Sequence, residues 1–220
     1  MRAMIRNITL IFLLLLIINV LYLPHHYYAK ENDCFKQANE NELWYDYLLP
    51  PENSSIRESR ITHIMLHFIS NVKEKPHNPY QVEDIYQLFQ KHHVSSHYLI
   101  DRDGTIYRFV PEYRVAYHAG SNLFHGFSTL GKMNEHSIGI ELMAIGTKEE
   151  MTPFIREDIY NFIHWKNIGY TDEQYNSLDK LLNNIYSRHS ENLNILGHNQ
   201  YAPFRKTDPG KLFDWSRIEK

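Results

Sequence analysis

Three groups of residues in this 220-residue chain have types and spacings that could do chemistry. The first is His67, near the end of the apolar run Ile61-Thr-His-Ile-Met-Leu-His-Phe-Ile69 and just before a polar loop at Ser70-Asn71. The second is the segment from Gly197-His198 to Lys206-Thr-Asp208-Pro-Gly210. There a histidine follows a short apolar stretch, and an aspartate comes ten positions later, fixed by Pro209-Gly210. The third is Glu141, a carboxylate inside the apolar stretch Ser137-Ile-Gly-Ile-Glu-Leu-Met143. Zinc accepts imidazole nitrogen and carboxylate oxygen, and two histidines plus one carboxylate would leave a fourth tetrahedral position for water. In extended chain Lys206 and Asp208 point the same way, about 6–7 Å apart, so a ligand and a cation can share one pocket. A carboxylate within an apolar strand is costly unless it is paired or functional.

Each group also has a plain structural reading. His67 could be a hydrogen-bonded core histidine, as His63 on the same strand face is expected to be. Lys206 and Asp208 could be a surface ion pair, and Glu141 half of a buried salt bridge. Other chemistries are excluded more firmly. There is no His-Glu-x-x-His helix, no Gly-x-Ser-x-Gly elbow, no P-loop and no dinucleotide fingerprint. The single cysteine, Cys34, rules out a disulfide within the chain and any site with two thiolates. A net charge of −3 and the lack of a Lys/Arg run argue against nucleic acid as a partner.

The elements that must position these residues follow from pattern. The run 61–69 reads as a buried strand. Asn78-Pro79 is expected to open a helix whose face is Val82, Ile85, Leu88 and Phe89. Ser96–Ile100 and Thr105–Val110 flank Asp101-Arg-Asp-Gly104 and read as a hairpin. Residues 137–143 form another strand. Residues 144–170 read as an irregular surface insertion. Thr171-Asp-Glu-Gln174 is a capping box opening a second helix with the stripe Leu178, Leu181, Leu182 and Ile185. Leu193–Gly197 is a short strand leading into a loop from His198 to Gly210. The fold class expected is α/β, a single domain with a mixed central β-sheet flanked by α-helices. The three candidate groups then fall at strand ends, where open α/β sheets place their sites.

The N-terminal residues differ in composition. Arg2 and Arg6 precede an apolar run from Ile8 to Leu23, with Ala29 ending a cleavage site. Residues 1–29 are expected to be a signal peptide, with an uncleaved N-terminal anchor as the other reading. The remaining chain would then be extracytoplasmic. Residues 30–60 read as an N-terminal extension that Trp44, Tyr45, Tyr47, Leu48 and Leu49 pin to the domain surface, and residues 61–220 as the domain.

The chain resembles the AmpD-like zinc amidases, in the superfamily that also holds phage lysozyme-amidases and peptidoglycan recognition proteins. The resemblance rests on Met-Leu-His67-Phe, Val-Ser-Ser-His-Tyr-Leu-Ile100, Asp-Gly-Thr-Ile-Tyr107 and Ala-Tyr-His-Ala-Gly120. Asn134-Glu-His-Ser-Ile-Gly-Ile-Glu141, Gly-His198 and Arg-Lys206-Thr-Asp208-Pro-Gly210 complete the set, in family order over about residues 61–216. It implies one Zn2+ per chain held by His67, His198 and Asp208. It also implies Glu141 as the catalytic acidic residue and Lys206 as the cation that steadies the tetrahedral intermediate. The reaction implied is that of an N-acetylmuramoyl-L-alanine amidase: zinc-activated water cuts the amide between N-acetylmuramic acid and the L-alanine of the stem peptide. His118, Tyr117, Lys132 and His93 fall where relatives touch substrate. Relatives acting on diaminopimelate peptides carry arginines at the positions of His93 and Lys132, and Tyr117 stands where a tryptophan is common. The partner implied is peptidoglycan or a muropeptide, met by a secreted, cell-wall or periplasmic monomer that touches membrane only through an uncleaved N-terminal segment. The alternatives are a non-catalytic peptidoglycan-binding protein on the same fold and a zinc hydrolase of another amide.

Overall fold

Two seven-residue strands of mostly β-branched and apolar residues make the centre of the molecule. The structure, a computed structural model, describes residues 43–120, 132–189 and 193–218, which belong to one compact unit, residues 38–220. Residues 1–29, Cys34 and the start of the expected extension lie outside the described residues. In chain order the elements are β1 (Tyr45–Asp46), β2 (Ser54–Ile56), β3 (His63–Ile69), α1 (Val82–His92), β4 (Tyr98–Ile100), β5 (Ile106–Arg108) and β6 (Arg114–Ala116). There follow α2 (Met133–His136), β7 (Ser137–Met143), α3 (Lys148–Met151), α4 (Glu157–Phe162), α5 (Asp172–Arg188), β8 (Asn194–Gly197) and α6 (His198–Tyr201).

Six strands form one mixed sheet in the order β1-β5-β4-β7-β3-β8, and β2 pairs with β6 in a separate two-stranded sheet. β3 lies between β7 and β8, parallel to both. Parallel strands covered on both faces read as near-continuous apolar runs, and this is why β3 and β7 lack clean alternation. One face packs on α5: Ile64, Leu66, Ile138, Ile140 and Leu142 meet Leu178, Leu181, Leu182 and Ile185. Each of those helix side chains contributes roughly 1.5–3 kcal/mol by leaving water. The other face meets α1, whose Val82, Ile85 and Phe89 pack with Leu99, Phe109 and Met143. The α/β architecture expected from the pattern is therefore the one observed, with a mixed sheet between helices.

Three local expectations change. Helix α1 begins at Val82, with Gln81 as N-cap, and not at Asn78-Pro79. The earlier pair is spent elsewhere. Pro79 O accepts the Asn71 N–H at 2.9 Å, and Asn78 Oδ1 accepts from Gln81 Nε2 at 3.1 Å, so both hold the loop after β3. Residues 144–170 are not simply a surface insertion. Ile145, Met151, Ile155 and Ile163 are buried with Val72 in a small second core, while Phe154, Phe162 and Trp165 stay exposed. The loop after β8 opens with the helical turn α6. By contrast, the capping box at Thr171 and Gln174 is present with both of its hydrogen bonds.

The first described residues, 43–57, are integrated with the sheet. β1 pairs parallel with β5, Leu49 is buried, and Trp44 packs against the α5-side core. Arg57 ties this segment to the strands that carry the site. Its Nε donates to Glu112 O at 2.8 Å, and its Nη2 donates to Arg114 O and Ser137 O, each at 3.0 Å. Its Nη1 donates to Glu135 O. Removing the guanidinium strips several partly buried carbonyls of their donor at once. Arg57→Ala should lower the unfolding free energy by about 3 kcal/mol, read as a fall in the urea midpoint. A midpoint equal to the parent's would contradict this.

Candidate metal centre

Strand pairing sets the first contact of the site. In the β3–β7 ladder His67 is the register partner of Glu141, so both side chains leave the sheet on the same face. β8, on the other side of β3, delivers His198 at the first position of α6. Asp208 then returns in the loop beyond α6, where Asn199 N donates to Asp208 O at 2.8 Å. His67, His198 and Asp208 are all buried, and one donor atom from each lies within 4.8 Å of the other two. His67 Nδ1 sits 2.8 Å from Asp208 Oδ2, and His198 Nδ1 sits 3.0 Å from the same oxygen. The sequence-based trio is thus brought together around one point.

The tautomer of His198 decides what this contact means. Its Nε2 lies 3.0 Å from Ala119 O, and a carbonyl can only accept. Nε2 therefore carries a hydrogen, and Nδ1 faces the carboxylate. Burial lowers His67 to about 4, so this ring is neutral at physiological pH. Burial would raise Asp208, but close contact with His198 and His67 outweighs it and holds the carboxylate ionised, well below the usual range. Two imidazole nitrogens packed against one carboxylate in a dry pocket favour positive charge among them, as protons or as a cation. Two imidazole nitrogens and a carboxylate oxygen are a donor set that zinc takes readily. The residues present fit the metal that the sequence implies.

Two carboxylates outside the trio shape the site. Glu141 is buried beside it, and its Oε2 is shielded from solvent with no hydrogen-bond partner among the described residues. Burial and then repulsion from Asp208 push its pKa well above the ordinary value, against the pull of the Lys206 ammonium. Glu150 holds the Asp208 loop and was not singled out from sequence. Its Oε1 accepts the Lys211 N–H at 2.7 Å and its Oε2 the Thr147 N–H at 2.8 Å. Gly210, at φ 81°, lies so close that a Cβ there would come within 2.9 Å of both Glu150 oxygens. Thr147-x-x-Glu150 is a capping-box pattern, which was the available signal.

A cleft of about 220 Å3 opens over the trio, lined by Tyr117, His118, Glu141 and Lys206 together with the three candidate ligands. The other two expected substrate contacts stand apart from this lining. His93 is the left-handed C-cap of α1, at φ 51°. Lys132 pairs with Glu135 at 3.4 Å on an exposed surface. A larger cavity of about 480 Å3 lies among Arg57, Arg108, Glu112 and Arg188. Two of its cations are paired, Arg108 with Asp46 and Arg188 with Glu112.

The chain belongs to the N-acetylmuramoyl-L-alanine amidase family, whose model matches residues 57–211. It is 38% identical over 126 residues to the 1,6-anhydro-N-acetylmuramyl-L-alanine amidase AmpD of Citrobacter freundii, covering 57% of this chain and 55% of that protein. It is 32% identical over 133 residues to the N-acetylmuramoyl-L-alanine amidase AmiD of Escherichia coli, covering 57% and 43% respectively. A crystal structure of a selenomethionine derivative of AmpD superposes with a TM-score of 0.59 at 30% identity, over 78% of this chain and 90% of that one. The chain thus spans about half the length of the curated relatives it matches. These matches correct one expectation. The extracytoplasmic placement drawn from residues 1–29 conflicts with the likeness to AmpD. Among the described residues, no helix is long and apolar enough to cross a membrane.

The raised Glu141 pKa has a consequence for stability. The folded, metal-free protein keeps a proton that the unfolded chain releases above its ordinary value of 4.5. Stability is therefore full below that value and declines as pH rises towards the folded pKa. In chelator-treated protein, Glu141→Gln should raise the Tm by about 2 °C or more at pH 7 and change it little at pH 4. Equal shifts at the two pH values would contradict the assignment.

Proposed function

We propose that this chain is a zinc-dependent N-acetylmuramoyl-L-alanine amidase acting on peptidoglycan fragments. The observation that carries the proposal is the pairing of two kinds of group in one cleft. Three buried donor atoms converge within 4.8 Å, and beside them lies a buried carboxylate whose Oε2 has no partner. A structural salt bridge at Glu141 would fill that oxygen. The name of the matched AmpD points to 1,6-anhydro-muropeptides as the first substrate to try.

His67, His198 and Asp208 would hold one zinc ion, which when bound supplies Lewis acidity towards water and the amide carbonyl. The chain's own groups do the rest. Glu141 lines the cleft beside the three donors with a carboxylate oxygen free of partners among the described residues, which places it for proton transfer. It takes the proton of the attacking water at its free oxygen and returns it to the departing L-alanine nitrogen. Attack on the lactyl carbonyl of muramic acid builds negative charge on the carbonyl oxygen. The Lys206 ammonium lines the same cleft and stabilises that charge, a contribution of about 2.7–4 kcal/mol for one well-placed donor. Tyr117 and His118 form part of the cleft wall. The complete constellation lies within a single chain, so a monomer is sufficient.

Glu141→Ala should keep zinc and fold while losing about 10²–10⁴-fold in hydrolysis. A fully active variant would reject Glu141 as the base. His67→Ala and Asp208→Ala should instead purify with little zinc, measured by elemental analysis, and near-stoichiometric metal in either would reject the ligand set. Mass analysis of digests with the zinc-loaded protein should find free muramic-acid ends and peptides beginning with L-alanine. Binding of muropeptide without these products would mark a non-catalytic receptor.

A further inference from the structure

His198 has a backbone carbonyl to fix its tautomer, whereas His67 has none. His67 Nε2 instead lies 3.0 Å from His118 Nδ1, a contact that could run in either direction. The next link removes the ambiguity. His118 Nε2 lies 3.2 Å from Ser137 Oγ, and Ser137 Oγ lies 2.6 Å from Met133 O. A carbonyl only accepts, and a serine hydroxyl has one hydrogen. That hydrogen is committed to Met133 O, so Ser137 Oγ must accept from His118. His118 then carries its hydrogen on Nε2 and offers a lone pair at Nδ1. His67 donates to that lone pair from Nε2, so in the neutral ring Nδ1 is bare and faces Asp208.

We propose that Ser137 and His118 act as positioning residues, a hydroxyl–imidazole relay that sets the tautomer of His67 for metal binding. The proposal deepens the zinc reading of this site and gives His118 a role distinct from substrate contact. The surrounding structure holds the relay in place. Asn134 Oδ1 accepts from His118 N at 3.0 Å and from Ala119 N at 2.8 Å, fixing the backbone of the ring. Gly139 provides the space, because a Cβ there would come within 2.5 Å of the His118 ring. Ser137 is itself fully buried at the start of β7. Partners of this kind, bonded to the far nitrogen of a ligating histidine, set ring orientation and tautomer, and losing them typically costs about 10–100-fold in metal affinity.

The test reads tautomers in the zinc-free, 15N-labelled full chain through two-bond 1H–15N correlations of the imidazole rings. The relay predicts the Nε2–H form for both His67 and His118. An Nδ1–H form at either ring overturns it, whatever the protein does to muropeptides. Ser137→Ala should give His118 mixed tautomers and weaken zinc binding about tenfold or more in a chelator competition. Ser137→Thr keeps the hydroxyl and should restore the affinity. Wild-type zinc affinity in Ser137→Ala would also overturn the relay. If the wild type shows the expected tautomers and zinc but releases no L-alanine peptides, the amidase proposal falls while the relay stands.

Discussion

The structure depends on one electrostatic constraint: three electron-pair donors are forced together where water cannot separate them. His67, His198 and Asp208 meet in a buried pocket, and the hydrogen bonds behind the two rings turn their lone pairs inward. Such an arrangement is unfavourable on its own account in a medium of low dielectric. It is suited to holding positive charge among the three groups. Much of the neighbouring structure can be read as the scaffold that holds these groups against their mutual repulsion.

That scaffold is built from the rigid parts of the fold. The β3–β7 register puts the base candidate opposite the first ligand, so their separation is fixed by sheet geometry. β8 fixes the second ligand by pairing with the same β3. The third comes from a loop and needs separate anchoring. Glu150 supplies part of it through Lys211 N, and Tyr170 supplies more by donating from its hydroxyl to Pro209 O at 2.7 Å. Because the three donors come from three elements, they meet only once the sheet has formed. The cleft chemistry is therefore a property of the assembled sheet and not of any local motif.

Much of this was legible in the chain. His67, Glu141 and His198 could be picked out as polar interruptions or sequels of apolar stretches, and Lys206 and Asp208 by their spacing from His198 and the Pro209-Gly210 that follows. The capping box at Thr171 and the turn at Asp101–Gly104 follow local rules, and both are present. What could not be read depends on partners distant in sequence. Asn78-Pro79 has the local signature of a helix start, yet Pro79 O is drawn into a bond with Asn71, and the helix begins at Val82. Ile145, Ile155 and Ile163 have no helical or strand period, so nothing local announces the second core they form with Val72. The role of Ser137 emerges only when Met133, His118 and His67 are seen in line. The apolar run at the N-terminus carried a conclusion about location that the likeness to AmpD does not bear out.

The most direct test of the central claim is X-ray absorption at the zinc edge on the full chain loaded with one equivalent of metal. The account predicts a four-coordinate ion with two imidazole nitrogens at about 2.0–2.1 Å and oxygen in the remaining positions. The imidazole signal should fall to one ring in His198→Ala. A shell of oxygens alone, or a sulfur ligand from Cys34, would contradict it.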